Sequence, residues 1–254
     1  MFVNNLNPVI LRLGPFALTY YGLVYAAGFL FITHKLMHAS AKIKNLDKDK
    51  AESLMTIGMI GLVIGARIGH IFFELDYYIA HPLEVFAVWH GGMAFIGGLI
   101  GAFVFAGIYC RKHKVNLFAV GDIIALYAPL FLAFGRIANF INSELFGYPT
   151  SLPWGVNFNN ETNILGELIY RHPSQLYESV LKFSVFAILF FLSKKKRKPG
   201  FIFWNFVWLY GLTRFVAEFF RYNAALYFGL SVMQYISIGL FVLGWFFLIR
   251  RRFE

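Results

Sequence analysis

Seven apolar stretches, each long enough to cross a bilayer as a helix, leave this chain few folds to choose from. They lie near residues 18–38, 51–73, 91–110, 119–138, 176–193, 200–219 and 232–249. A helix needs roughly 20 mainly apolar residues to span the hydrocarbon core. Backbone amides there must find partners within the protein, which favours helices. The pattern predicts an all-α integral membrane protein with about seven transmembrane helices. Composition agrees, with 59% of residues hydrophobic and 14% charged, against about 25% charged in a soluble domain. Thirty-one Phe and 14 Tyr exclude a disordered chain, because disorder requires few apolar side chains. The single cysteine, Cys110, excludes an intramolecular disulfide framework and a cysteine-based metal cluster.

A net charge of +10 raises the possibility of nucleic-acid binding, but the basic residues are not distributed for it. Most fall in four groups, Lys35 to Lys50, Arg111 to Lys114, Lys194 to Lys198 and Arg250 to Arg252, which follow spans one, three, five and seven. The connections at 74–90 and 220–231 carry at most one Arg. By the positive-inside rule the N-terminus is outside and the C-terminus cytoplasmic. The partner is therefore the bilayer, and no nucleic acid is expected. The first stretch lacks a basic leader, so no cleaved signal peptide is expected. Residues 1–254 read as a single polytopic membrane domain. The connection at 139–175, rich in Asn, Pro and Gly, is too long for a simple hairpin and reads as a small external head or the lining of a site. Glycine stripes at Gly58, Gly61, Gly65 and Gly69 and at Gly97, Gly98 and Gly101 read as close helix packing.

Ionisable residues inside such spans need a partner or a task, since each costs roughly 2.5–3.5 kcal/mol at mid-helix on insertion scales. Under this orientation Tyr21, Arg67, His70, His90, Arg136, Asn139, His172, Gln175, Glu178, Arg214, Glu218 and Arg221 all fall toward the external leaflet, while Asp122 falls at the inner end of span four. Arg214, Glu218 and Arg221 share one helical face, so a structural Arg214–Glu218 ion pair is one reading. The other rests on the arginines as a set. Arg67, Arg136, Arg214 and Arg221 offer more positive charge than Glu74, Glu144, Glu178 and Glu218 obviously need, and an anionic ligand is a natural partner. Arginine keeps its charge when desolvated, and its planar fork suits phosphate oxygens. In an outer-leaflet pocket lined by Phe and Tyr, that ligand is a phospholipid headgroup.

Two segments are the most specific. The run from Gly135 through Arg136, Asn139 and Glu144 to Gly147 places more polar groups at a membrane exit than helix capping requires. The run Arg171-His172-Pro173-Ser174-Gln175-Leu176-Tyr177-Glu178 reads as a helix start aimed into the same region.

At these segments the chain resembles the prolipoprotein diacylglyceryl transferases of bacterial inner membranes. The resemblance extends to Tyr20-Tyr21-Gly22-Leu23, Gly65-Ala66-Arg67-Ile68-Gly69, Trp89-His90-Gly91-Gly92-Met93-Ala94-Phe95, the run from Tyr210 to Arg221, and Gln234-Tyr235-Ile236-Ser237, in order over nearly the whole chain. It implies a multi-pass inner-membrane enzyme whose active site faces the periplasm. The implied reaction moves the diacylglyceryl group of phosphatidylglycerol to the lipobox cysteine of a preprolipoprotein signal peptide, forming a thioether and releasing glycerol 1-phosphate. The family's functional positions fall on Tyr21, Arg136, Asn139, Glu144, Gly147, Arg214 and Glu218, supported by Arg67, Gln175 and Arg221. The chain departs from the family at Ile96-Gly97-Gly98, where the family has a His-Gly-Gly proposed to supply a base, and at Ala138, where it has Gly.

The thiolate is the attacking species, and Arg136 and Arg214 would both lower the thiol pKa and hold the departing phosphate. If a base is used, His90 and His172 are the available imidazoles, ahead of Tyr21 and Glu144. Neither metal nor cofactor is expected: no H-E-x-x-H motif and no aspartate cluster suited to magnesium occur. An anion transporter would show repeated halves and a polar path continuing inward, and the sequence has neither. An enzyme acting on phospholipid by hydrolysis or by transfer to another alcohol, which the missing metal motifs disfavour, and a non-catalytic scaffold, which leaves the arginines unexplained, are the remaining alternatives.

Overall fold

A computed structural model describes residues 1–14, 16–87, 91–222 and 226–250. The chain order is β1 (Phe2–Asn4), β2 (Val9–Leu13), β3 (Phe16–Thr19), α1 (Tyr20–Ala39), α2 (Lys48–Phe73), α3 (Leu75–Ala80), α4 (Phe95–Lys112), α5 (Leu117–Ile141), β4 (Val156–Phe158), α6 (Ser174–Ser193), α7 (Phe201–Glu218) and α8 (Val232–Arg250). Among the described residues there are thus eight α-helices. Seven of them coincide with the apolar stretches, and α3 is a short addition.

Five helices, α2, α4, α5, α6 and α8, are long and apolar enough to cross a bilayer by length and composition, which makes this a multi-pass membrane protein. Helix α1 carries Tyr20, Tyr21, Tyr25, His34 and Lys35, and α7 carries Asn205, Arg214 and Glu218. The α7 groups are buried in protein, where polar content is tolerated at membrane depth, whereas Tyr20, Tyr21, Tyr25 and His34 of α1 are exposed. Helix α4 begins at Phe95 rather than at 91, because Gly91 and Gly92 take positive φ.

The chain forms two compact units, residues 33–120 and residues 1–32 with 121–254. In the first, α2 packs on α4 with no room for side chains at the crossing. A Cβ on Gly65 would run into the Gly97 carbonyl oxygen, and one on Gly101 into that of Gly61. This is the small-residue route to close helix approach in lipid. Gly58 faces open space and takes no part. Asp47 caps α2 by accepting from the Lys50 amide at 2.8 Å.

In the second unit α6 packs on α7 and α7 on α8, around a core of Ala125, Val185, Leu189, Ile202 and Leu209. Asp122 has a structural task here. Its two carboxylate oxygens accept from the Gly200 and Phe203 amides, at 2.6 and 2.8 Å, and so cap the N-terminus of α7 from another helix.

The connection between α5 and α6 is packed and ordered. Strand β4 lies parallel to β1, and isolated bridges join Pro149 and Val156 to Arg171 and Thr162 to Leu168. Asn157, fully buried, donates to the carbonyl oxygens of Glu161 and Ile169 at 2.7 Å each. Phe158 is enclosed by Phe140 and Phe146. Arg171 donates to both carboxylate oxygens of Glu161 at 2.6 Å. Those hydrogen bonds hold the Glu161 carboxyl below the usual carboxylate range and raise the Arg171 guanidinium.

Candidate active site: arginines gathered on one buried glutamate

Helices α5 to α8 are joined in sequence, and the C-terminal ends of α5 and α7 meet the N-terminal ends of α6 and α8. Four polar helix ends thereby converge. At their centre is Glu178, one turn into α6 and 2% exposed. Arg136 of α5 approaches its Oε2 through Nε at 2.9 Å. Arg214 of α7 donates through Nη1 to Oε1 at 2.7 Å. Arg221, just past α7, stands 3.8 Å from Oε1. A carboxylate this buried is stable only among cations, and here three surround it.

The network continues in both directions. Arg214 reaches Glu218, one turn on, through Nη2 at 2.6 Å, so the ion pair read from the i, i+4 spacing is present. Glu218 Oε1 also accepts from the Ser231 hydroxyl at 3.0 Å, and Ser231 with Gln234 forms the N-terminal turn of α8. On the other side Arg136 donates to Asn139 Oδ1 at 3.1 Å, and Asn139 donates to Glu144 Oε1 at 2.7 Å. The Arg214 side chain is 4% exposed, against 19% for Arg136 and 18% for Arg221. Arg136 and Arg221 are therefore the cations with access to a ligand, while Arg214 lies between two carboxylates.

Residues 142–147 are held by side chains of the α6 start. Gln175, 1% exposed, donates to the Glu144 carbonyl oxygen at 2.7 Å, and Ser174 donates to that of Leu145 at 2.9 Å. Gly147 bridges Arg221 in antiparallel fashion, and its amide donates to the His172 carbonyl oxygen at 2.9 Å. A Cβ there would meet the Phe220 carbonyl oxygen and stand 2.7 Å from the His172 Cβ. The need for glycine is steric, and it fixes the segment bearing Arg221. Tyr21 shares a hydrogen bond with Tyr25 at 3.0 Å, and Tyr25 is close enough to interact electrostatically with Arg136 and Glu144.

Other expected positions make local contacts of their own. His172 Nδ1 lies 3.1 Å from the Tyr177 hydroxyl, which accepts from Trp154 Nε1 at 2.8 Å. Arg67 belongs to residues 33–120, where it donates to the carbonyl oxygens of Glu84, Val85, Ala87, Gly91 and Gly92. Its fork holds a loop. His90 lies outside the described residues.

Two features escaped sequence reasoning. Glu178 was one carboxylate among several, and only the packing makes it the centre. Lys182, one turn further into α6, is 3% exposed with its ammonium 4.4 Å from the Tyr210 ring centroid. Its signal was available as a lysine deep in an apolar span, four residues after a glutamate. No group of three or more metal-ligating side chains occurs among the described residues.

A family model described as prolipoprotein diacylglyceryl transferase matches residues 8–250. The chain belongs to that family. Curated relatives agree over nearly full length. The phosphatidylglycerol–prolipoprotein diacylglyceryl transferase of Geobacter sulfurreducens is 41% identical over 250 residues, covering 94% of this chain and 93% of the relative. Those of Bordetella parapertussis and Rhodospirillum rubrum are 40% identical over 248 residues and 38% over 252, covering 93% and 90% of the relatives. The family membership makes this chain a transferase of lipoprotein biosynthesis.

Proposed function

We propose that the chain transfers the diacylglyceryl group of phosphatidylglycerol to a prolipoprotein cysteine at the cluster around Glu178. The observation that carries this reading is the gathering of Arg136, Arg214 and Arg221 on one buried carboxylate. Arg136 and Arg221 retain partial exposure, so their outer nitrogens suit the phosphate oxygens of a lipid headgroup, and Arg214 orders them through the shared glutamate.

In the reaction the lipobox thiol loses its proton and the thiolate attacks the glyceryl carbon that bears the phosphate. The carbon–oxygen bond breaks, and its electron pair leaves with glycerol 1-phosphate. A thioether remains on the signal peptide. The phosphodiester carries one negative charge and the departing monoester carries more, so cations fixed in place stabilise the transition state more than the ground state. The same field favours the thiolate. Asn139 and Glu144 hold Arg136, Glu218 holds Arg214, Gly147 and Gln175 fix the surrounding backbone, and Tyr21 with Tyr25 borders the cluster.

The proposed topology has seven transmembrane helices, the N-terminus and the cluster on the periplasmic side of the bacterial inner membrane, and the C-terminus in the cytoplasm. Its support is the placing of the basic groups after alternate spans. The packed connection between α5 and α6 is read as a small external head. Incubating purified protein with phosphatidylglycerol and a lipobox peptide tests the activity. A diglyceride adduct on the peptide cysteine, seen by mass, is expected, and an unmodified peptide overturns the reading.

A further inference from the structure

Three side chains around the start of α6 share hydrogens in a way that fixes where one proton sits. Trp154 Nε1 donates to the Tyr177 hydroxyl at 2.8 Å, and that hydroxyl lies 3.1 Å from His172 Nδ1. An indole N–H can only donate, a phenol has one hydrogen to give, and a neutral imidazole has a donor on one nitrogen and an acceptor on the other. The Tyr177 oxygen already accepts from Trp154, so its own hydrogen is free for Nδ1. The chain then runs from Trp154 N–H through Tyr177 O–H to His172 Nδ1, each bond polarising the next. With the proton on Nδ1 instead, two donors would meet at the phenol oxygen, whose hydrogen would have no acceptor among the described residues. Edge-on contacts with Tyr177 and Phe220 hold the imidazole ring in this place.

We propose that Trp154 and Tyr177 are positioning residues that lock the neutral imidazole of His172 in the Nε2–H tautomer, so that the ring presents a hydrogen-bond donor and keeps no free lone pair. Which ring nitrogen carries the proton is set by the hydrogen bond that the other makes, and here the bond at Nδ1 decides it. The consequence for chemistry rests on the proposed transfer reaction. An imidazole whose only lone pair is engaged cannot take the lipobox proton while the chain is intact, which leaves the thiol to the arginine field.

The test is spectroscopic. Full-length protein with nitrogen-15 in its histidines is placed in phosphatidylcholine nanodiscs at about pH 8, above the ordinary imidazole range. The ring signals of His172 are found by difference from His172→Phe, and ring nitrogen shifts report which nitrogen holds the proton. Wild type is expected to carry it on Nε2. Tyr177→Phe keeps the ring against Phe220 and removes the hydroxyl, so the tautomer ratio should move about fivefold toward Nδ1–H, the worth of one hydrogen bond. Trp154→Phe, at an exposed position, should move it the same way by less, and it decides the matter if Tyr177→Phe does not fold. A wild-type proton on Nδ1 overturns the inference, as does an unchanged ratio in a folded variant. Thioether formation on a lipobox peptide is measured on the same wild-type sample. If the Nε2–H form is found and no thioether is made, the proposed function fails and the tautomer lock stands. If thioether is made and the proton lies on Nδ1, only the inference about His172 fails.

Discussion

Arg214 and Glu178 meet at 2.7 Å across the α6–α7 contact, and neither side chain is more than 4% exposed. Breaking such a pair by removing one partner leaves a buried charge, at a cost of about 3–5 kcal/mol. Glu178→Ala strips the shared anchor from three arginines at once. It is expected to lower the unfolding temperature in detergent and to abolish transfer. Glu178→Gln keeps the shape and loses only the charge, so it should recover part of the stability and little of the activity. Wild-type transfer by Glu178→Ala would mean that the cluster is not needed for chemistry.

Much of this site was legible in the sequence, for physical reasons that particular residues make clear. The cost of burying charge in lipid singled out Arg136, Arg214 and Glu218 before any fold was known, and helical spacing paired the last two. The centrality of Glu178 was not legible, because it depends on three helices that are distant in sequence meeting at one point. The residue type of Arg67 suits a phosphate and backbone carbonyls equally, so its five carbonyl acceptors could not be read from the sequence. The seven apolar stretches gave the main helices to within a few residues. The strand pairing of β1 with β4 was invisible, since strands of three residues carry no periodicity.

Arg67 makes a separate prediction. Its five carbonyl contacts use the geometry of a guanidinium fork, which lysine cannot reproduce. Arg67→Lys should therefore loosen residues 84–87 and 91–92 by at least about 2 kcal/mol, because several acceptors lose their donor. Faster hydrogen exchange in those segments is the measurement. Exchange at the wild-type rate would show that the carbonyls do not depend on Arg67.

Gly147 tests the steric argument. Gly147→Ala places a methyl against the Phe220 carbonyl and 2.7 Å from the His172 Cβ, which forces backbone to move at a cost of about 1–3 kcal/mol. The bridge to Arg221 should open, and transfer should fall with stability. A variant as stable and active as the wild type would show that the segment has slack.

The Glu161–Arg171 pair predicts a pH dependence of stability. Arg171 hydrogen bonds depress the Glu161 carboxyl below its usual range. The folded state therefore binds the carboxyl proton less readily than the unfolded chain does. The stabilisation is present above the ordinary carboxylate range, about pH 4.3, and is lost as pH falls through the lower folded value. The raised Arg171 guanidinium stays charged throughout that window. Partial exposure of Glu161 limits the size of the effect. Unfolding temperature measured between pH 3 and 6 should fall with acid more steeply in wild type than in Glu161→Gln, and parallel curves would remove the pair as the cause.

The remaining question is whether an imidazole takes the thiol proton. His172 has its Nδ1 at the Tyr177 hydroxyl and its ring packed edge-on against Tyr177 and Phe220, an arrangement that suits a packing role. His172→Phe preserves that packing and removes both ring nitrogens. Combined with His90→Ala, it removes both imidazoles that the sequence singles out as candidate bases. A dedicated general base contributes about 10²–10⁴-fold, so its removal is unmistakable in a thioether assay. If the arginine field alone lowers the thiol pKa, the double variant retains transfer within about threefold of wild type, well inside that range. A loss of two orders of magnitude in the double variant, with unfolding unchanged, would assign the proton to one of these histidines, and the single variants would say which.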